Sequence, residues 1–167
     1  MDLVVGFLSF VTEGNYDRRY DNFKKSVSSL SLLQDQPCDV ISIDNNSCDS
    51  VKEELKQSGV FKELFLLDKN FYDISVLYMT TKYAVENDYK YMMYIYDDFI
   101  SYNDNYISDC INFLDEHSNV HCLRVPMYNF NNSYLYDTKY TAKTVNPDSV
   151  RHFNSISRQA ITWHGPY

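Results

Sequence analysis

The feature that most constrains this chain is its alternation of short apolar runs with helical stripes. Leu3-Val4-Val5-Gly6-Phe7-Leu8-Ser9 is a continuous apolar run of strand length. A polar loop, Thr12-Glu13-Gly14-Asn15, follows it, and then Phe23, Val27, Leu30 and Leu33 recur at helical spacing. Pro37 marks the end of that helix. Val40-Ile41-Ser42-Ile43 predicts a second strand, Val51 to Gln57 a short helix, and Phe61 to Leu67 a third strand. Asp73 is placed to cap the next helix, whose buried stripe is predicted as Ile74, Leu77, Thr81, Ala84 and Val85. Tyr91 to Tyr96 predicts a fourth strand. Ile107, Cys110, Ile111 and Leu114 predict a further helix, and His121 to Val125 a further strand.

Strands alternating with helices in units of about 30 residues imply βαβ units, a mostly parallel central sheet and an α/β fold. Right-handed crossovers then place helices on both faces. Beyond Pro126 the pattern changes. Residues 133–145 partly alternate, which predicts a small antiparallel hairpin, and Arg151 to Trp163 is mixed. At 167 residues the chain is read as one domain, with residues 1–125 as its main part and 126–167 as a smaller C-terminal part.

Composition excludes some functions. A net charge of -8 argues against a protein that grips nucleic-acid backbone, so no nucleic-acid partner is expected. An anionic substrate remains compatible if a cation supplies local positive charge. The cysteines Cys38, Cys48, Cys110 and Cys122 form no CxxC pair, and reduced core thiols are expected. Cys110, His117, His121 and Cys122 do not match common zinc spacings. No run approaches the ~20 apolar residues of a transmembrane segment, and no secretory leader is recognisable, so a cytoplasmic location is expected.

In an open parallel sheet, ligands bind beyond the carboxyl ends of the strands. That rule selects the loops at residues 10–15, 44–49, 68–73 and 97–99, three of which carry two or more acids. Acids gathered round one crevice repel unless a cation or donor groups neutralise them. Asp97-Asp98 ends the run Tyr91-Met92-Met93-Tyr94-Ile95-Tyr96. Such a pair suits a hard divalent cation beside a phosphate; alternatively it is an acidic turn. With only four glycines, the chain has neither a GxGxxG turn nor a P-loop, so bare backbone is poorly placed to cradle phosphates. A nucleotidyltransferase of the Gly-rich type and a phosphatase with Asp-x-Asp after the first strand are both disfavoured. Ser9-Phe10-Val11 stands where the latter needs its acids.

These residues resemble the nucleotide-sugar half of a GT-A glycosyltransferase, most similar to the family 2 type. Ser29-Leu30 and Gln34 match that family's first helix. Asp44-Asn45-Asn46-Ser47-Cys48-Asp49 matches its Asp-Asn-Gly-Ser-Thr-Asp segment, with Asn46 in the glycine position. Asp68-Lys69-Asn70 matches its Asn-containing loop, and Tyr96-Asp97-Asp98 its DxD motif, with Tyr96 in the first acidic position. The likeness covers roughly residues 3–125.

It implies a Rossmann-like GT-A sandwich, with residues 126–167 a partial acceptor side. It also implies transfer of a sugar from a nucleotide-diphosphate sugar to a hydroxyl on a carbohydrate, lipid-linked or protein acceptor, assisted by Mn2+ or Mg2+ and inverting. The alternative is a catalytically silent GT-A-like module that binds nucleotide sugar or carbohydrate. Asp98, with Asp97, would hold the metal. Asp44 would meet the nucleobase, or else cap the following turn. Thr12 and Glu13 would flank the nucleoside, or else be solvated loop residues. Asn46 and Asn70 complete the implied donor site. A catalytic base is not identified by motif; after residue 130 the acids are Asp137 and Asp148.

Overall fold

The computed structural model describes residues 1–100, 106–120, 122–124 and 161–164. Six strands form one sheet in the order β3-β2-β1-β4-β6-β5. Here β1 is Leu3–Ser9, β2 Cys38–Asp44, β3 Glu63–Leu66, β4 Tyr91–Tyr96, β5 Cys122–Arg124 and β6 Ile161–His164. The helices are α1 (Tyr16–Ser29), α2 (Asp49–Gln57), α3 (Asp73–Glu86) and α4 (Tyr106–Glu116). β1 pairs in parallel with both β2 and β4, and β2 in parallel with β3. β6 lies antiparallel between β4 and β5.

The expected α/β architecture is therefore present, as a Rossmann-like sandwich with helices on both faces. All seven residues of β1 are buried, as a central strand covered on both sides requires. Its alternate side chains feed two cores. Leu3, Val5 and Phe7 join Phe23, Val27, Val51, Ile107 and Leu114 on one side. Val4 and Leu8 join Val76, Tyr83 and Ala84 of α3 on the other. The stripe Phe23, Val27, Leu30, Leu33 is buried throughout, with its last turn tightened to 3-10 geometry over Leu30–Leu33.

One expectation is corrected. The hydrophobic stripe of α3 is rotated from the one predicted. Ser75, Val76, Thr80, Tyr83 and Ala84 face inward, whereas Ile74 is 66% exposed and Val85 58%. The cause lies in β1. A Cβ built on Gly6 would stand 1.9 Å from Thr80 Oγ1, so helix and strand touch where both side chains are small. That contact sets the rotation of α3, and the larger Ile74 and Leu77 turn outward. The expected antiparallel C-terminal part is present in β6, at the end of the stretch whose sequence pattern was mixed. The predicted hairpin at 133–145 lies outside the described residues.

Candidate functional site

The four parallel strands end together, and their loops form the crevice that the strand-end rule selects. A cavity of about 280 Å³ opens there. Leu8 and Phe10 of the β1 end, Arg19 of α1 and Asn45 of the β2 end contribute to it. Asn70, Tyr72 and Asp73 form its wall from the segment leading into α3, and Tyr96, Asp97 and Asp98 close it from β4.

The two acids at the end of β4 do different things. Asp97 is buried, 3% exposed, and accepts the Phe10 N–H at 3.0 Å. It also forms an ion pair with Arg19, whose side chain is 33% exposed. Burial pushes the Asp97 carboxyl above its ordinary pKa, while the Arg19 charge and the Phe10 N–H oppose that rise. Asp98, one residue on, is exposed on the cavity wall. The Tyr96 phenol, half-buried beside them, is raised by burial and by the nearby Asp73 carboxylate.

Asp44 is fully buried. It accepts Ser9 Oγ at 3.2 Å and the Ser47 N–H at 2.8 Å, so its carboxylate caps the Asn45–Ser47 turn. Asn46 takes φ 64°, the left-handed geometry for which Asn is the usual substitute for Gly. It is exposed and accepts Lys52 Nζ at 3.1 Å. Asn45 is buried and spans the crevice: its Nδ2 donates to Tyr72 O at 2.9 Å. Thr12 and Glu13 begin a 3-10 turn, with the Thr12 N–H donating to Asn15 Oδ1 at 2.8 Å.

The structure thus gathers Asn70, Asp97 and Asp98 on one cavity, whereas Thr12, Glu13, Asp44 and Asn46 are not among the residues that line it. Asp137 and Asp148 lie outside the described residues. Sequence reasoning missed Arg19, Asn45, Tyr72 and Asp73. Arg19 had one available signal: an acid pair at the end of a buried strand requires a counter-charge, and α1 begins at the neighbouring loop.

Among the described residues no cluster of three or more His, Cys, Asp or Glu side chains could hold a metal alone. The donor set still fits a hard divalent cation in one way. Mg2+ characteristically binds through one or two carboxylates plus substrate phosphate oxygens and water. Asp98 supplies such a carboxylate at the cavity.

No sequence-family model and no curated protein sequence matches the chain. Solved structures do match its fold. The S. aureus TarS 1-349 structure aligns with TM-score 0.65 at 17% identity, over 98% of this chain and 47% of that one. TarS 1-349 in complex with UDP-GlcNAc aligns with TM-score 0.60 at 15% identity, over 84% and 38%. The mannosyltransferase PcManGT from Pyrobaculum calidifontis, in complex with GDP-Man and Mn2+, aligns with TM-score 0.52 at 10% identity, over 77% and 36%. The fold is GT-A-like, and its structural neighbours are nucleotide-sugar glycosyltransferases. The chain spans about half the length of the TarS 1-349 structure. No helix among the described residues is long and apolar enough to cross a membrane.

Proposed function

We propose that this chain is the donor-binding part of a glycosyltransferase that moves a sugar from a nucleoside-diphosphate sugar to an acceptor hydroxyl, with inversion. One observation carries the reading: the exposed Asp98 and the Arg19–Asp97 pair share one cavity at the strand ends of a GT-A-like fold. Asp98 would hold Mn2+ or Mg2+ jointly with the diphosphate. Such a cation neutralises charge developing on the departing diphosphate. Arg19 has five N–H donors, of which Asp97 engages only part, and its guanidinium lines the same cavity. It is suited to a phosphate oxygen. Asp97 holds that guanidinium in place and tethers the Phe10 backbone, so its part is positioning.

An inverting transfer needs a base within about 3 Å of the acceptor hydroxyl in the productive complex. Asp137 and Asp148 are the candidates, and the acceptor is a carbohydrate, a lipid-linked sugar or a protein. A second reading, a silent binding module located in the cytoplasm as the enzyme would be, draws on the engagement of Asp97 by Arg19. That pairing leaves Asp98 as the exposed member of the acid pair.

Calorimetry with UDP-GlcNAc and GDP-Man, with and without Mn2+, tests both readings. Binding strengthened by Mn2+, with that gain lost in Asp98→Ala, is expected. Slow release of free sugar from the bound donor identifies the transferase, and binding without turnover identifies the module. No binding of either donor under any metal condition overturns the donor site itself.

A further inference from the structure

Tyr72 has a backbone that a tyrosine should avoid. Its φ of 56° and ψ of -155° lie in a region populated almost only by glycine. A side chain there is strained and persists only where its surroundings impose it. The surroundings here are explicit. The Tyr72 N–H donates to Asn70 Oδ1 at 2.7 Å, and its carbonyl accepts Asn45 Nδ2 at 2.9 Å and Ser75 Oγ at 2.8 Å. Both backbone groups are satisfied, so the segment would hold the same path with glycine. Yet the tyrosine side chain contributes little burial in return: the residue is 76% exposed, and it stands on the wall of the cavity that holds Asp98. Among the described residues, such an exposed ring on a strained backbone has little stabilising part to play.

We infer that the Tyr72 ring is a stacking surface for the nucleobase of the bound nucleotide, an inference that rests on the donor-site reading. Three features favour a planar heterocycle. The ring offers a π-face that any base can stack upon. Phe10 lines the same cavity from the β1 end. Asn70, between Tyr72 and β3, spends its amide oxygen on Tyr72 and retains an N–H donor pair suited to a base carbonyl. Stacking on one aromatic residue typically changes affinity for a base by about tenfold.

The experiment compares wild type, Tyr72→Gly and Tyr72→Phe for binding of UDP and of inorganic pyrophosphate, both with Mn2+, and for Tm. Tyr72→Gly should bind UDP about tenfold more weakly, keep its pyrophosphate affinity, and show an equal or higher Tm because the strain is gone. Tyr72→Phe should bind UDP as the wild type does. Unchanged UDP affinity in Tyr72→Gly overturns the inference alone, as does a lower Tm, which would make the ring a packing residue. Equal losses in Tyr72→Gly and Tyr72→Phe overturn it too, by assigning the effect to the hydroxyl. A wild-type chain that binds pyrophosphate but no nucleotide overturns it while leaving the metal site standing. One that binds neither removes the donor-site reading as well.

Discussion

Replacing Arg19 by methionine isolates the pairing at the end of β4. Methionine keeps an aliphatic stem and removes the charge. Asp97, 3% exposed in the wild type, would keep the Phe10 N–H as its hydrogen-bond donor among the described residues. Breaking a buried pair from one side costs about 3–5 kcal/mol. Arg19 is 33% exposed, so water screens part of the interaction, and the expected cost is about 2 kcal/mol at neutral pH. In a chain of 167 residues that is a fall in Tm of about 4–8 °C. The pH dependence has a definite sign. Asp97 is raised by burial in the wild type. A carboxyl raised in the folded state costs stability at high pH, and the cost fades as pH falls through the folded pKa. Removing Arg19 raises Asp97 further. The gap between Arg19→Met and wild type should therefore be wide at pH 8 and narrower at pH 5. Circular dichroism melts at both pH values measure it, and adding Asp97→Asn should recover most of the loss. A gap that does not change with pH, together with no recovery in the double variant, would refute the argument.

Three further outcomes are expected. Asp39 accepts Lys62 Nζ at 2.7 Å and the Tyr89 hydroxyl, and these partners hold its carboxyl below the ordinary range despite burial. Its contribution is present above the unfolded pKa and is lost as pH falls through the folded one. Asp39→Asn should thus cost about 1 kcal/mol in chemical denaturation at pH 7 and progressively less as pH falls through the folded pKa. Gly6→Ala should cost about 1–3 kcal/mol by overpacking against Thr80, and Thr80→Ala should recover part of it, since Thr80 Oγ1 has no hydrogen-bond partner among the described residues. On α3, Ile74→Ser should shift stability by under about 0.5 kcal/mol, whereas Val76→Ala should cost about 2 kcal/mol in urea unfolding. The reverse ranking would show that the helix presents its other face.

The strands were readable because β1, β2 and β4 are buried runs whose composition alone marks them. Tyr91 to Tyr96 is bounded as the sequence predicts. The rotation of α3 was not readable. Ile74, Leu77 and Val85 make the better apolar stripe, and a contact between Gly6 and Thr80, distant in sequence, overrides it. At the site, the acid pair and Asn70 were visible through their place at strand ends. The division of labour between Asp97 and Asp98 depends on Arg19, one of four cations on α1, which no motif marks. Asn45 was visible only as part of a turn signature. Its grip on Tyr72 is a tertiary hydrogen bond with no local trace.

The insertion of β6 between β4 and β5 has a consequence for how the chain is made. Tyr91 to Tyr94 pair with residues 161–164, which leave the ribosome long after them. At about 5–20 residues per second, several seconds of synthesis separate the two strands. Throughout that interval the β4 edge, Tyr-Met-Met-Tyr-Ile-Tyr, is an open template for any other nascent strand. Lower temperature during expression, which weakens apolar association at such an edge, should therefore raise the yield of soluble chain.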